Sequence, residues 1–196
     1  MKKISLILVS FFISYLSYSQ VSFGVKSGIN IATTRGMIEY TRLKLGWYGG
    51  AFAMIPLDKK IFLQPEILYS SKGTGVRKYT ALRSVTNYNY INVPILFGYN
   101  IDHKTSLLLG PEVGYLTSVH EIYEDGDNLN VSKSYAPKFD AGLDIGLNYK
   151  ILKKAGIEIR YNYGFKILYY IDGAGRHVTE FKAGNRVFQI GLNYLF

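Results

Sequence analysis

The 196-residue sequence contains no cysteine. That excludes disulfides, thiolate metal sites, a cysteine nucleophile and a lipid anchor on an N-terminal cysteine. Beyond a short apolar segment near the start, no stretch approaches the length of a membrane-spanning helix, so any membrane insertion must use strands. The three histidines, His103, His120 and His177, lack metal-ligand spacing, and no phosphate-binding loop is present. No catalytic, metal or cofactor site is predicted.

What is present begins with MKKISLILVSFFISYLSYSQ. Lys2 and Lys3 form a charged start, residues 4–13 an apolar run, and Ser17-Tyr18-Ser19 a small-x-small cleavage site. Residues 1–19 are therefore expected to be a cleaved secretory signal, leaving 20–196 as one domain. The net charge of +9 stays positive when Lys2 and Lys3 leave with the signal. An exported basic chain meets anionic lipid head groups more readily than nucleic acid, so no nucleic-acid partner is expected.

Apolar residues alternate with polar or small ones in eight segments, predicting strands at 21–31, 46–57, 61–70, 88–100, 105–117, 137–150, 155–166 and 185–196. Most reach the roughly 9–11 residues that a tilted strand needs to cross an apolar layer. Their connections alternate in length. Leu57-Asp58-Lys59-Lys60, Ile101-Asp102-His103-Lys104 and Ile151-Leu152-Lys153-Lys154 are tight, whereas 32–45, 71–87, 118–136 and 167–184 are long. This layout predicts an all-β fold: an eight-stranded antiparallel up-and-down transmembrane β-barrel with short periplasmic turns and long extracellular loops. Pro65, Pro94 and Pro111 fall inside strands, and because proline has no ladder donor, bulges are expected there.

The two faces of each strand differ in kind. Phe139, Ala141, Leu143, Ile145, Leu147 and Tyr149 share one face of the sixth strand, with Asp140, Gly142, Asp144, Gly146 and Asn148 on the other. A soluble lipocalin-like barrel also alternates, but it shows water a face rich in charge and threonine. A glycine-rich second face with few charges suits a narrow filled interior, so the apolar set is assigned to lipid. Tyr69, Tyr115, Phe139, Tyr163 and Phe165 gather at the long-loop ends, and Phe23, Tyr99, Tyr149, Tyr194 and Phe196 at the short-turn ends. These are the two aromatic girdles of a membrane barrel. FQIGLNYLF is then the closing strand, and its terminal aromatics, Tyr194 and Phe196, resemble the signal read by barrel-assembly machinery.

Inward parity carries Lys26, Glu66, Glu112, Lys138, Asp140, Asp144, Glu158 and Arg160. Buried charges must be paired, so these are expected to form a salt-bridge plug in which Glu112 meets Arg160 or Lys26; an ion path is the alternative. The predicted loop 71–87 holds Lys72, Arg77, Lys78 and Arg83 without an acid, a basic surface that could dock lipopolysaccharide phosphates or an acidic partner. Ser118 and His120 share a parity beside Glu121, the combination of types a lipid-hydrolysing triad would use.

GVKSGINIA, LQPEILYSSKG, YINVPILFGY, GPEVGYL and FDAGLDIGLNY together resemble the PorT-like outer-membrane β-barrel family of Bacteroidota. The resemblance spans essentially the whole mature chain. It implies an eight-stranded barrel in the outer membrane of a Gram-negative bacterium, in a family whose founding member is associated with type IX protein secretion. No functional residue carries over from it. The expected protein is monomeric and non-enzymatic, not a large-pore channel, with a structural or surface-interaction role through its extracellular loops. Outer-membrane lipid, lipopolysaccharide, the assembly machinery and an unknown surface or secretion partner are its expected contacts. Secretion accessory and lipid-modifying barrel enzyme are the alternatives.

Overall fold

The computed structural model describes residues 21–35, 41–76, 84–123, 127–132, 135–136, 138–165, 169–170 and 184–196. The expected signal at 1–19, the loop residues Arg77, Lys78 and Arg83, and His177 lie outside them.

Eight long strands form the wall: β1 (Ser22–Arg35), β2 (Lys44–Pro56), β3 (Ile61–Val76), β4 (Ser84–Asn100), β5 (Thr105–Tyr123), β6 (Phe139–Lys150), β7 (Ala155–Gly164) and β8 (Gly184–Leu195). Each pairs antiparallel with its neighbours in sequence, and β8 returns to β1 through Gly24↔Leu195 to Arg35↔Gly184, closing the barrel without a free edge. Closure satisfies the backbone in lipid, where an open edge would leave polar groups unpaired. Phe196 extends the closure by donating its N–H to the Phe23 carbonyl at 2.9 Å.

The three tight turns share one construction. Leu57, Ile101 and Ile151 each donate a backbone N–H to the carbonyl four residues on, at 2.9 Å in every case. Asp102 also takes the N–H groups of Lys104 and Thr105, both at 2.7 Å, which holds its carboxyl below the usual range.

Strand parity follows the alternation in the sequence. Ile91, Val93, Ile95, Phe97 and Tyr99 of β4 are exposed on the outer wall, while Tyr90, Asn92, Leu96 and Gly98 are buried inside. The same division holds through β6, β7 and β8. The aromatic girdles are on the outer wall, and on the loop side they pack as pairs. Ring centroids lie 5.1 Å apart for Trp47 and Tyr69, 5.2 Å for Tyr115 and Phe139, and 5.6 Å for Tyr163 and Phe165.

Two expectations are corrected. The strands run further on the loop side than alternation alone predicts: β3 continues to Val76, β4 begins at Ser84 and β5 continues to Tyr123. Above the girdle the wall faces water, so the ladder persists where the hydrophobic period stops. The prolines do not make bulges. Pro65↔Ile95, Pro94↔Glu112 and Pro111↔Leu143 keep the register of their neighbours, because each proline forfeits one ladder bond without inserting a residue. The register shift between β4 and β5 falls at Asn89/Tyr90, where Thr117 is the extra residue and turns its hydroxyl to the Asn89 carbonyl at 2.9 Å.

Candidate functional site

The interior carries two apolar clusters on the β2–β5 side, with charged and polar side chains between and opposite them. Nearest the short turns, Phe62, Leu96 and Leu108 are buried together with Met54 against them. Nearest the loops, Tyr88, Tyr90, Leu116 and Val119 form the second cluster, joined by Val131.

Arg160 of β7 is the centre of the charged group and is 1% exposed. Its Nη2 donates to Glu66 at 2.8 Å and to Glu158 at 2.6 Å, and its Nη1 donates to Asp144 at 3.3 Å. Lys26 of β1 bridges Glu66 at 2.8 Å and Glu158 at 2.7 Å. Gln64 adds a further donor to Glu66 at 2.7 Å. One cluster thus ties β1, β3, β6 and β7 together across the bore. Burying these ions is costly, so the network is not a large net stabiliser. Removing one member, however, leaves its partners charged and unpaired in a dry interior.

Glu112 has a different partner from the one expected. Its Oε1 meets Lys72 Nζ at 2.7 Å and accepts from Asn92 and Asn162 at 3.0 and 3.1 Å, away from Lys26 and Arg160. Lys72 itself is corrected from loop to barrel. It lies in β3 with 1% exposure, and its ammonium stands 5.4 Å from the Tyr90 ring centroid. Its flanking Ser70-Ser71 and Gly73-Thr74-Gly75 look like loop sequence, yet they continue the ladder to β4. Lys138 is a second correction. It precedes β6 at the mouth and is exposed, outside the network. Asp140 sits at the upper rim and accepts from Asn185 at 2.8 Å.

Two inward residues that sequence reasoning did not single out shape the bore. Tyr48 is 2% exposed and lies over Gly28 and Gly191, while Phe62 covers Gly98, its cross-strand partner. A side chain at Gly98 would occupy the place of the Phe62 ring. The signal was the glycine-rich inner face, which marks where large neighbours need room.

Ser118, His120 and Glu121 do not assemble as a triad. Beyond the Thr117 bulge, Ser118 and His120 point outward, paired with Asn89 and Asn87. Glu121 has inward parity opposite Thr86, and its carboxylate accepts from the Tyr123 hydroxyl at 2.8 Å. Among the described residues, no group of three His, Asp or Glu side chains is placed to hold a metal ion. What the arrangement does is tie together, through paired ions inside the bore, strands that lie far apart in sequence.

Solved structures with the same architecture include Neisserial surface protein A, at 12% identity and a TM-score of 0.60, covering 90% of this chain and 99% of that one. The outer membrane protein AlkL, solved by solid-state NMR in lipid bilayers, is similar at 11% identity and a TM-score of 0.53, covering 91% and 92%. Both likenesses are of fold. No curated protein matches the sequence. The family model described as an outer membrane protein beta-barrel domain matches residues 16–170, so the chain belongs to that family and its place is the outer membrane.

Proposed function

We propose that the protein is a monomeric, non-enzymatic outer-membrane barrel that works through its extracellular surface and not through a pore. The observation that carries this reading is the filling of the bore by a buried, paired ion network with apolar clusters to either side of it. The strands meanwhile extend past the aromatic girdle, and a ribbon at Asn128–Asn130 adds to β5 on the loop side. Such a molecule presents outward surface and no path. The opposite facing of Ser118 and Glu121 supports the absence of a hydrolytic role. Outer-membrane lipid and the barrel-assembly machinery are its proposed constant contacts, with Tyr194 and Phe196 as the assembly signal. A photo-crosslinking residue placed at exposed Leu129, on living cells, should trap a surface partner, whereas one at exposed Lys59 should not. The reverse pattern would move the working surface to the periplasm.

A second reading, favoured by the PorT-like motifs such as YINVPILFGY and FDAGLDIGLNY, is an accessory in protein secretion across the outer membrane. Deleting the protein and comparing secreted proteins separates the two. Loss of specific cargo from the medium supports the accessory role, and unchanged secretion supports the surface role.

A further inference from the structure

Just above the loop-side girdle, β2 and β3 part. Their pairing runs to Tyr48↔Ser70, and the short segment Thr41–Arg42 resumes it one residue out of step, with Arg42 opposite Gly75. The carbonyls freed at this split are taken by side chains. From inside, Asn30 donates to the Trp47 and Ser71 carbonyls at 3.2 and 2.9 Å. Lys44 donates to the Lys72 carbonyl at 2.9 Å and to the Ser71 hydroxyl at 3.2 Å.

On the outer wall beside this split the residues change character. Lower on β4 the outward positions are Ile91, Val93 and Ile95, but the next two up are Asn89 and Asn87. They lie in two cross-strand rows, Ser71↔Asn89↔Ser118 and Gly73↔Asn87↔His120↔Asn130. Gly73, with φ of 144°, presents no side chain in the second row. The result is a recess of about 300 Å³ lined by Trp47, Lys44, Asn87, Asn89, His120 and Asn128. Trp47 is 55% exposed at its lower edge, next to Tyr69 of the girdle.

We propose that this recess binds the saccharide head group of a glycolipid in the outer leaflet. Amide and imidazole side chains each offer both donor and acceptor, which matches vicinal hydroxyls, and the indole offers an apolar face to a sugar ring. An aromatic wall beside a few convergent polar groups is a common feature of small-ligand sites, and here it forms a shallow hollow on the wall. Lys44 gives two of its three ammonium donors to Ser71 and Lys72 and keeps one for the head group. The recess opens sideways just above the girdle, whose Trp and Tyr mark the head-group level. A lipid in the same leaflet reaches it by lateral diffusion, with its acyl chains running down past Ile67 and Ile91, both exposed on the wall.

The chain has a single tryptophan, so Trp47 reports on its own site. In phospholipid nanodiscs, a rough-type lipopolysaccharide carrying core sugars should change Trp47 emission saturably. Phosphatidylglycerol should not, and lipid-free core oligosaccharide should act only at about tenfold or higher concentration, because it lacks the leaflet's effective concentration. The variant combining Asn87→Ala with His120→Ala should weaken the response roughly tenfold, the worth of one or two hydrogen bonds. Asn128→Ala, outside the eight-stranded ladder, gives the same reading should that variant fail to assemble. Equal saturation by phosphatidylglycerol, equal potency of the free oligosaccharide, no response, or an undiminished response in the variants would each overturn the proposal.

Discussion

Lys72 and Glu112 meet at 2.7 Å inside the barrel, 40 residues apart in sequence, with less than a tenth of either side chain exposed. Each is the other's counter-ion in a space closed to water. Glu112→Leu should therefore cost roughly 3–5 kcal/mol, because it strands a buried ammonium. Adding Lys72→Met should restore most of the loss, since two apolar groups replace a pair. Urea unfolding in lipid vesicles for the four members of this double-mutant cycle measures the coupling. Additive losses would show that the pair is not what holds these strands.

Gly98 lies beneath the Phe62 ring. Gly98→Leu should displace that ring and destabilise the turn-side cluster by about 1–3 kcal/mol, the usual cost of overpacking. Phe62→Ala alone should cost roughly 3–5 kcal/mol by cavity formation, yet combined with Gly98→Leu the loss should shrink. Refolding yields and denaturant midpoints test this; a double variant worse than the sum of the singles would contradict it.

Leu192 and Asn193 are neighbours on the closing strand that face opposite ways. Leu192 is 63% exposed on the outer wall, while Asn193 donates to Asn148 at 2.7 Å inside. Leu192→Arg should cost up to roughly 2–4 kcal/mol, less if it lies close to the interface, because it places a charge in hydrocarbon. Asn193→Arg should cost less, since it enters a polar interior near Glu158. Vesicle refolding compares them directly. A clearly worse Asn193→Arg would mean that the lipid face is misassigned.

Phe196 is bonded to Phe23 and packs 6.1 Å from Tyr194, so its deletion removes one ladder bond at the rim. Refolding of purified protein should change little, whereas assembly in cells should fall sharply if the terminal aromatic is read as a signal. Equal effects in both settings would reduce Phe196 to a structural residue.

Wall parity was legible because successive strand residues face opposite ways, so a lipid-exposed face leaves a period of two in the sequence. The same logic explains what was missed. Ser71, Gly73, Asn87 and Asn89 stand on the wall above the girdle, where water replaces lipid and no apolar alternation is required, so β3, β4 and β5 read short. Lys72 consequently looked like a loop cation. Inward charges such as Glu66, Asp144 and Arg160 were visible one strand at a time. Their pairings were not, because Arg160 meets Glu66 only through the register of strands 94 residues apart. The prolines misled for a related reason: the donor each lacks is local, while the register is held by the long run of bonds on either side.

Conductance tests the account most directly. Purified protein inserted in planar bilayers should show no stable current step, because the paired ions and the side chains packed around them fill the bore. Emptying part of the bore, with Phe62→Ala and Tyr90→Ala, should be required before any steady current appears. A stable, porin-sized step from the wild-type protein would contradict the closed bore, and with it the reading of a barrel that works by its surface.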